Sequence, residues 1–200
     1  MTGARPRPAS NPFATRHTQP GSLTPLDTDG TPLDLAPLAA RLHTLPSSTG
    51  AIVGPHGSGK TNLLVHLARL LTETDRCVGP LRARSCRDAA GIVRAILRST
   101  PGAIACIDSW EQLGWTGRLA VRWAAAWRRS GLLVTSHRVT ELPTLIDCHT
   151  SRVLLERLVE RLPGAGGMSP SEIDDAFARH GGNLRESLAD LYDRFEACRR

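Results

Sequence analysis

One stretch, Gly50-Ala-Ile-Val-Gly-Pro-His-Gly-Ser-Gly-Lys-Thr-Asn-Leu-Leu64, constrains the fold of this chain more than any other. Its residues Gly54, Pro55, His56, Gly57, Ser58, Gly59, Lys60 and Thr61 satisfy the pattern G-x-x-x-x-G-K-[ST]. That pattern is informative only where a strand enters it and a helix leaves it. Both are predicted here. Ala51-Ile-Val53 reads as a short buried strand, and Leu63, Leu64, Leu67, Leu70 and Leu71 mark the apolar face of a helix from about 59 to 72. Glycines let the backbone turn successive N–H groups inward, as a nest for phosphate oxygens at the positive end of the following helix. In such a nest Lys60 is expected to reach the β- and γ-phosphates of a nucleotide, and Thr61 to ligate Mg2+. Gly54 to Asn62 are the candidate nucleotide-binding residues.

Lys60 is the only lysine in the chain; the other 24 of its 25 basic residues are arginines. On a solvated face the exchange of lysine for arginine costs little. It fails where a slender point charge must thread between phosphates, because the planar guanidinium fork is a different object.

A carboxylate suited to the same chemistry follows about fifty residues later. Ala103-Ile-Ala-Cys-Ile107 reads as a second buried strand ending in Asp108, where a strand-tip carboxylate would hold Mg2+. The residue after Asp108 is Ser109, whereas many ATPases place glutamate there. Glu111 is the candidate to orient an attacking water. Without it, hydrolysis would be slow and the protein would act as a nucleotide-state switch.

The rest of the pattern alternates. Leu35, Leu38, Leu42 and Leu45 predict a helix capped by Asp34, and a short strand is expected near 78–81. Helices are expected at 88–97 and 115–129, and strands at 132–134 and within 142–148. Trp115, Leu119, Trp123 and Trp127 recur every four residues and read as a core-packing stripe. From 151 the pattern is purely helical. Ser169, Pro170 and Glu172 open one helix as N-cap, first-turn proline and capping partner. Gly181-Gly182 breaks it and Asn183 caps the next. The expectation is an α/β fold: a three-layer phosphate-loop core with a parallel sheet over 33–150, then a small helical lid over 151–200. Residues 1–32 hold six of the 14 prolines and read as an extended arm.

These residues together resemble AAA+-type P-loop ATPases. They also resemble short bacterial P-loop proteins carrying Asp-x-x-Glu-Gln-Leu, here Asp108, Glu111, Gln112 and Leu113. The resemblance covers most of 11–195 and rests chiefly on the phosphate loop. It implies that Asn11-Pro12-Phe13 opens an entry segment lying against adenine. It implies that Ser136 or Thr135 watches the γ-phosphate as sensor 1, and that Arg185, in Gly182-Asn-Leu-Arg-Glu186, contacts it as sensor 2. The implied ligands are ATP and Mg2+, and the implied catalytic set is Lys60, Glu111 and Arg185. The implied activity is slow ATP hydrolysis coupled to lid movement in a regulatory or assembly role. The alternatives are a nucleotide-gated binding protein with little hydrolysis, and a small-molecule kinase.

Composition narrows the partners. No apolar run approaches the roughly 18 residues of a membrane span, so the chain is expected to be cytoplasmic, with no membrane partner. A net charge of +6 permits contact with nucleic acid or an acidic protein, but the arginines form no single block. A homo-oligomer is compatible with the resemblance. Cys77, Cys86, Cys106, Cys148 and Cys198 are an odd, scattered set and read as reduced thiols.

Overall fold

Strands buried on both faces have to be apolar at nearly every position, and helices must cover them. The computed structural model describes residues 11–73, 76–162 and 168–197, and its central strands follow that rule. They are β1 (Thr49–Val53), β3 (Ile104–Asp108) and β4 (Gly131–Ser136), with β2 (Cys77–Arg82) and β5 (Thr144–Asp147) at the edges. The five form one sheet in the order β2-β3-β4-β1-β5, with every pairing parallel. Pro80 lies in edge strand β2, where a missing N–H is tolerated. The pairing of β2 with β3 shifts register between Val78 and Leu81.

Alternation along the strands sorts the core into two layers. Ala51, Val53, Ala105, Ile107, Leu132 and Val134 face α4 (Ala89–Arg98) and α5 (Gly114–Arg128). Ile52, Ile104, Cys106 and Leu133 face α2 (Leu35–Thr44) and α3 (Lys60–Thr72). Asp34 caps α2 as expected, accepting from Ala36 N at 3.0 Å.

A third apolar cluster lies outside the sheet. It joins α6 (Arg152–Glu160), α7 (Pro170–Arg179) and α8 (Leu184–Ala197) through Leu155, Ile173, Leu188 and Leu191. The capping box at Ser169 and Glu172 forms, and Asn183 Oδ1 accepts from the N–H groups of Arg185 and Glu186 at 3.2 and 3.3 Å. Residues 163–167, in the loop before this box, lie outside the described residues, as does Cys198.

The proline-rich segment belongs to this third cluster from residue 11 onward. Phe13 is buried in it, its ring edge-on to Phe195 at 6.3 Å. Asn11 Nδ2 donates to Tyr192 O at 3.1 Å and to Glu196 Oε1 at 2.9 Å. The segment also carries a short helix α1 (Thr15–Thr18) and an antiparallel bridge between Leu26 and Pro32, so it is not extended throughout.

The tryptophan stripe is a correction. Trp115, Leu119, Trp123 and Trp127 face outward, and the core side of α5 is Gly117, Val121, Ala124 and Ala125. Small residues take the interior because α5 lies close against α4: a Cβ on Gly117 would stand 3.1 Å from that of Ala89. Only Trp110, in the 3-10 turn Trp110–Leu113 before α5, is a core tryptophan.

Candidate functional site

Parallel strands deliver their C-terminal ends to one edge, where the chain must leave the sheet. Gly54 follows β1 directly and abuts the residue after β5: a Cβ there would collide with the carbonyl oxygen of Cys148. The chain then runs through Gly57 and Gly59, both at positive φ (76° and 83°), into α3. No side chain caps α3, so the N–H groups of its first turn remain available to an acceptor.

Lys60 is 6% exposed and folds back over this loop. Its Nζ donates to Gly54 O at 2.7 Å and Pro55 O at 2.5 Å. Burial pulls its pKa below the ordinary lysine value, while nearby Cys148, Glu111 and Asp108 oppose that shift. A buried ammonium whose hydrogen bonds go to two neutral carbonyls favours an incoming anion.

Asp108 sits at the tip of β3, one strand removed from β1, because β4 lies between them. Its Oδ1 accepts from Thr61 Oγ1 at 2.9 Å and from Thr135 Oγ1 at 2.7 Å. Thr135 therefore bridges the gap that the strand order creates. Ser136 is also buried, but strand alternation turns it to the other face, and its hydroxyl accepts from Arg138 N at 3.4 Å. Of the two hydroxyls, it is that of Thr135 that meets Asp108.

Ser109 adopts the left-handed conformation at φ 65° and donates its N–H to Thr135 Oγ1 at 2.8 Å. That turn aims Glu111 back toward the sheet edge. Its Oε1 stands 3.2 Å from His137 Nε2, and both of its oxygens are shielded from solvent without a well-aligned donor. The His137 ring lies 3.5 Å from that of His56, which joins the glycine-rich loop to the end of β4. Burial lowers the His137 pKa, and the charge on Lys60 adds to that effect.

A cleft of about 950 Å³ opens over these groups. Lys60, Thr61, Asp108, Thr135 and His137 line its floor, and the 13–28 segment and α8 form its sides. Arg185 is exposed on the α8 side of the same cleft. Asn183, two residues earlier, lies directly over Gly57, so that any side chain at 57 would fall on its Oδ1. Ser58 stays with the loop, donating to Pro55 O at 2.9 Å. Asn62 instead ties down the N-terminal segment, accepting from Gly21 N at 2.7 Å and donating to Leu23 O at 2.8 Å.

Nothing in the sequence singles out Arg82. It pairs in register with Asp108 across β2 and β3, and its Nε stands 4.0 Å from Asp108 Oδ2. Only the strand order reveals that contact. His137 is likewise an ordinary strand-end residue until Glu111 turns back onto it.

The fold and site define an α/β protein with an all-parallel five-stranded sheet and a polar, partly cationic cleft at the C-terminal edge of its strands. No protein-family model and no curated protein matches the chain.

Proposed function

We propose that the chain is a P-loop ATPase of the AAA+ type that binds ATP with Mg2+ and couples its slow hydrolysis to movement of α6–α8. One observation carries the reading: the buried Lys60 ammonium hydrogen-bonds to two neutral carbonyls beside an uncapped helix start. Polyphosphate would supply the missing counter-charge and accept from the free N–H groups.

The oxygen pair at Thr61 and Asp108 fits Mg2+. Adjacent ligands of an octahedral ion with bonds of 2.0–2.1 Å stand about 2.9 Å apart. Thr61 Oγ1 and Asp108 Oδ1 have that separation. When bound, the ion would neutralise phosphate charge as the terminal phosphoryl group leaves. Thr135 would hold the Asp108 carboxylate. Arg185 would meet the terminal phosphate from the α8 side, and Asn183 on Gly57 would pass any shift of the loop to the helices.

A second reading, a nucleotide-gated binder with little turnover, is favoured by Glu111. Its carboxylate is engaged with His137 behind the cleft floor. Water activation would first require that pair to separate.

Equilibrium binding of a fluorescent ATP analogue and single-turnover hydrolysis test both readings. Lys60→Ala is expected to lose nucleotide affinity and turnover; unchanged values for both would refute nucleotide binding at this loop. If Glu111 is the base, Glu111→Gln keeps affinity and loses turnover by roughly 10²–10⁴-fold. Equal turnover would leave the binder.

A further inference from the structure

The outward face of α5 is the most apolar exposed surface among the described residues. Trp115, Leu119, Trp123 and Trp127 are 74%, 59%, 61% and 71% exposed. The rings of Trp123 and Trp127 stack on each other at 5.8 Å. Two tryptophans held together in water, continued by a leucine and a third tryptophan along one helix, form a ridge rather than scattered apolar residues. The ridge lies on the α4–α5 layer, away from the cleft floor.

Beside the ridge lies a groove of about 480 Å³. It is lined by Thr116, Gly117 and Ala120 of α5 and Ala89, Ala90 and Val93 of α4, with Cys86 and Arg87 at its end. These are small side chains next to large ones, so the same face carries both a projection and a hollow. The groove borders the ridge on one side, so its residues fall at the rim of an interface centred on the ridge.

The ridge spacing suits a second copy. The set is symmetric about residue 121. Reversing the helix brings Trp115 opposite Trp127 and Leu119 opposite Trp123. An antiparallel partner therefore meets a large apolar side chain at every ridge position.

The area is sufficient. Tryptophans carry about 150–250 Å² each, so three at these exposures, with Leu119, offer on the order of 500–600 Å² of apolar side chain per copy. Pairing two copies, with the groove residues included, buries on the order of 1,200 Å², within the range of specific interfaces.

We propose that a second copy of this chain docks on this face, the two α5 ridges packing antiparallel against each other in a closed, two-fold dimer. This stands independently of the nucleotide reading.

Charge supplies a signature. From Gly114 to Arg129 there are four arginines and no acid. Arg118 is paired with Glu141, and Arg128 donates to the Ser99 carbonyl. Arg122 and Arg129 are exposed along the ridge. A two-fold axis across antiparallel helices brings like flanks to the same side. The dimer is then held by apolar burial against arginine repulsion, and salt strengthens it by screening that repulsion. An acidic protein or a nucleic acid on this face would show the opposite dependence.

The test is sedimentation equilibrium of the full chain without nucleotide, from about 1 to 100 μM, at about 0.1 M and 1 M salt. A monomer–dimer equilibrium is expected, tighter at high salt, with tryptophan emission moving to the blue along the same concentration curve. Trp123→Ala should weaken it roughly 30-fold or more. Trp123→Glu on the ridge and Ala120→Glu in the groove should each leave monomer, with far-UV dichroism and melting temperature unchanged. A wild-type monomer throughout overturns the proposal. So does a dimer indifferent to both glutamate variants, or one that salt dissociates.

Discussion

Asn183 Oδ1 rests on the α-carbon of Gly57, so the cap of α8 and the middle of the glycine-rich loop share one contact. Gly57 is glycine for two reasons. Its φ of 76° disfavours a side chain, and Asn183 occupies the place a side chain would take. Gly59 has the first constraint without the second, since nothing lies within 4 Å of its would-be Cβ. Gly59→Ala should therefore cost about 1 kcal/mol and Gly57→Ala about 2–4 kcal/mol in urea unfolding. Combining Gly57→Ala with Asn183→Gly should recover the steric part and give a non-additive cycle. Equal costs for the two glycine variants would show that α8 is not seated on the loop.

Thr135 stabilises a buried carboxylate from one side and a strained turn from the other. Its hydroxyl donates to Asp108 and accepts from Ser109 N–H. Thr135→Val keeps the shape and removes both bonds. Hydrogen bonds to charged groups contribute about 1.5–3 kcal/mol, so a loss of that size is expected in chemical denaturation. Thr135→Ser should retain most of it. Ser136→Ala, one residue along, should cost less than Thr135→Val, because the Ser136 hydroxyl accepts only a long bond from Arg138 N.

The parallel sheet and the loop were legible because each reports itself locally. Apolar runs of four to six residues, a glycine-rich break and a leucine-faced helix are properties of neighbours in sequence. The site was legible in part for the same reason: Lys60 and Thr61 open the leucine-faced helix and Asp108 ends an apolar strand, and both positions follow from the runs. What was not legible depends on which strands are neighbours. The choice of Thr135 over Ser136, and the approach of Arg82 to Asp108, follow from register across β2, β3 and β4. The tryptophan stripe misled for a related reason. Spacing of four identifies a helix face, but not which face turns inward. Here close packing on Ala89 selects Gly117, Val121 and Ala124 for the core and leaves the indoles outside.

Cys77 and Cys106 lie on adjacent strands with their sulfurs 3.5 Å apart. The hydrogen bond from Cys106 pulls the Cys77 thiol down to about 7 against the effect of burial, and Cys106 is pushed well up. Cys77 should alkylate with iodoacetamide along a pH curve centred near 7, read by peptide mass spectrometry. Removing the donor with Cys106→Ala should move that midpoint up toward the free-thiol value of about 8.5. An unchanged midpoint would show that Cys106 does not set it.

His137 and His66 shape the acid side of the stability profile. Burial, assisted by Lys60, lowers the His137 pKa below the ordinary histidine value of about 6.5. His66 is lowered too, by burial and then by Arg69. With the folded pKa below the unfolded one, the unfolded chain binds more protons as pH falls past about 6.5. Stability is then full above that pH and declines as pH drops from it toward the folded pKa values. Urea unfolding at a series of pH values from about 7.5 down to 5 should show that decline. His137→Asn, which cannot titrate, should flatten its part of the slope, leaving the share of His66. The same variant removes the group facing Glu111 Oε1, so nucleotide turnover should change with it if Glu111 acts on water. A slope unaltered by His137→Asn would place the acid-side loss on other groups.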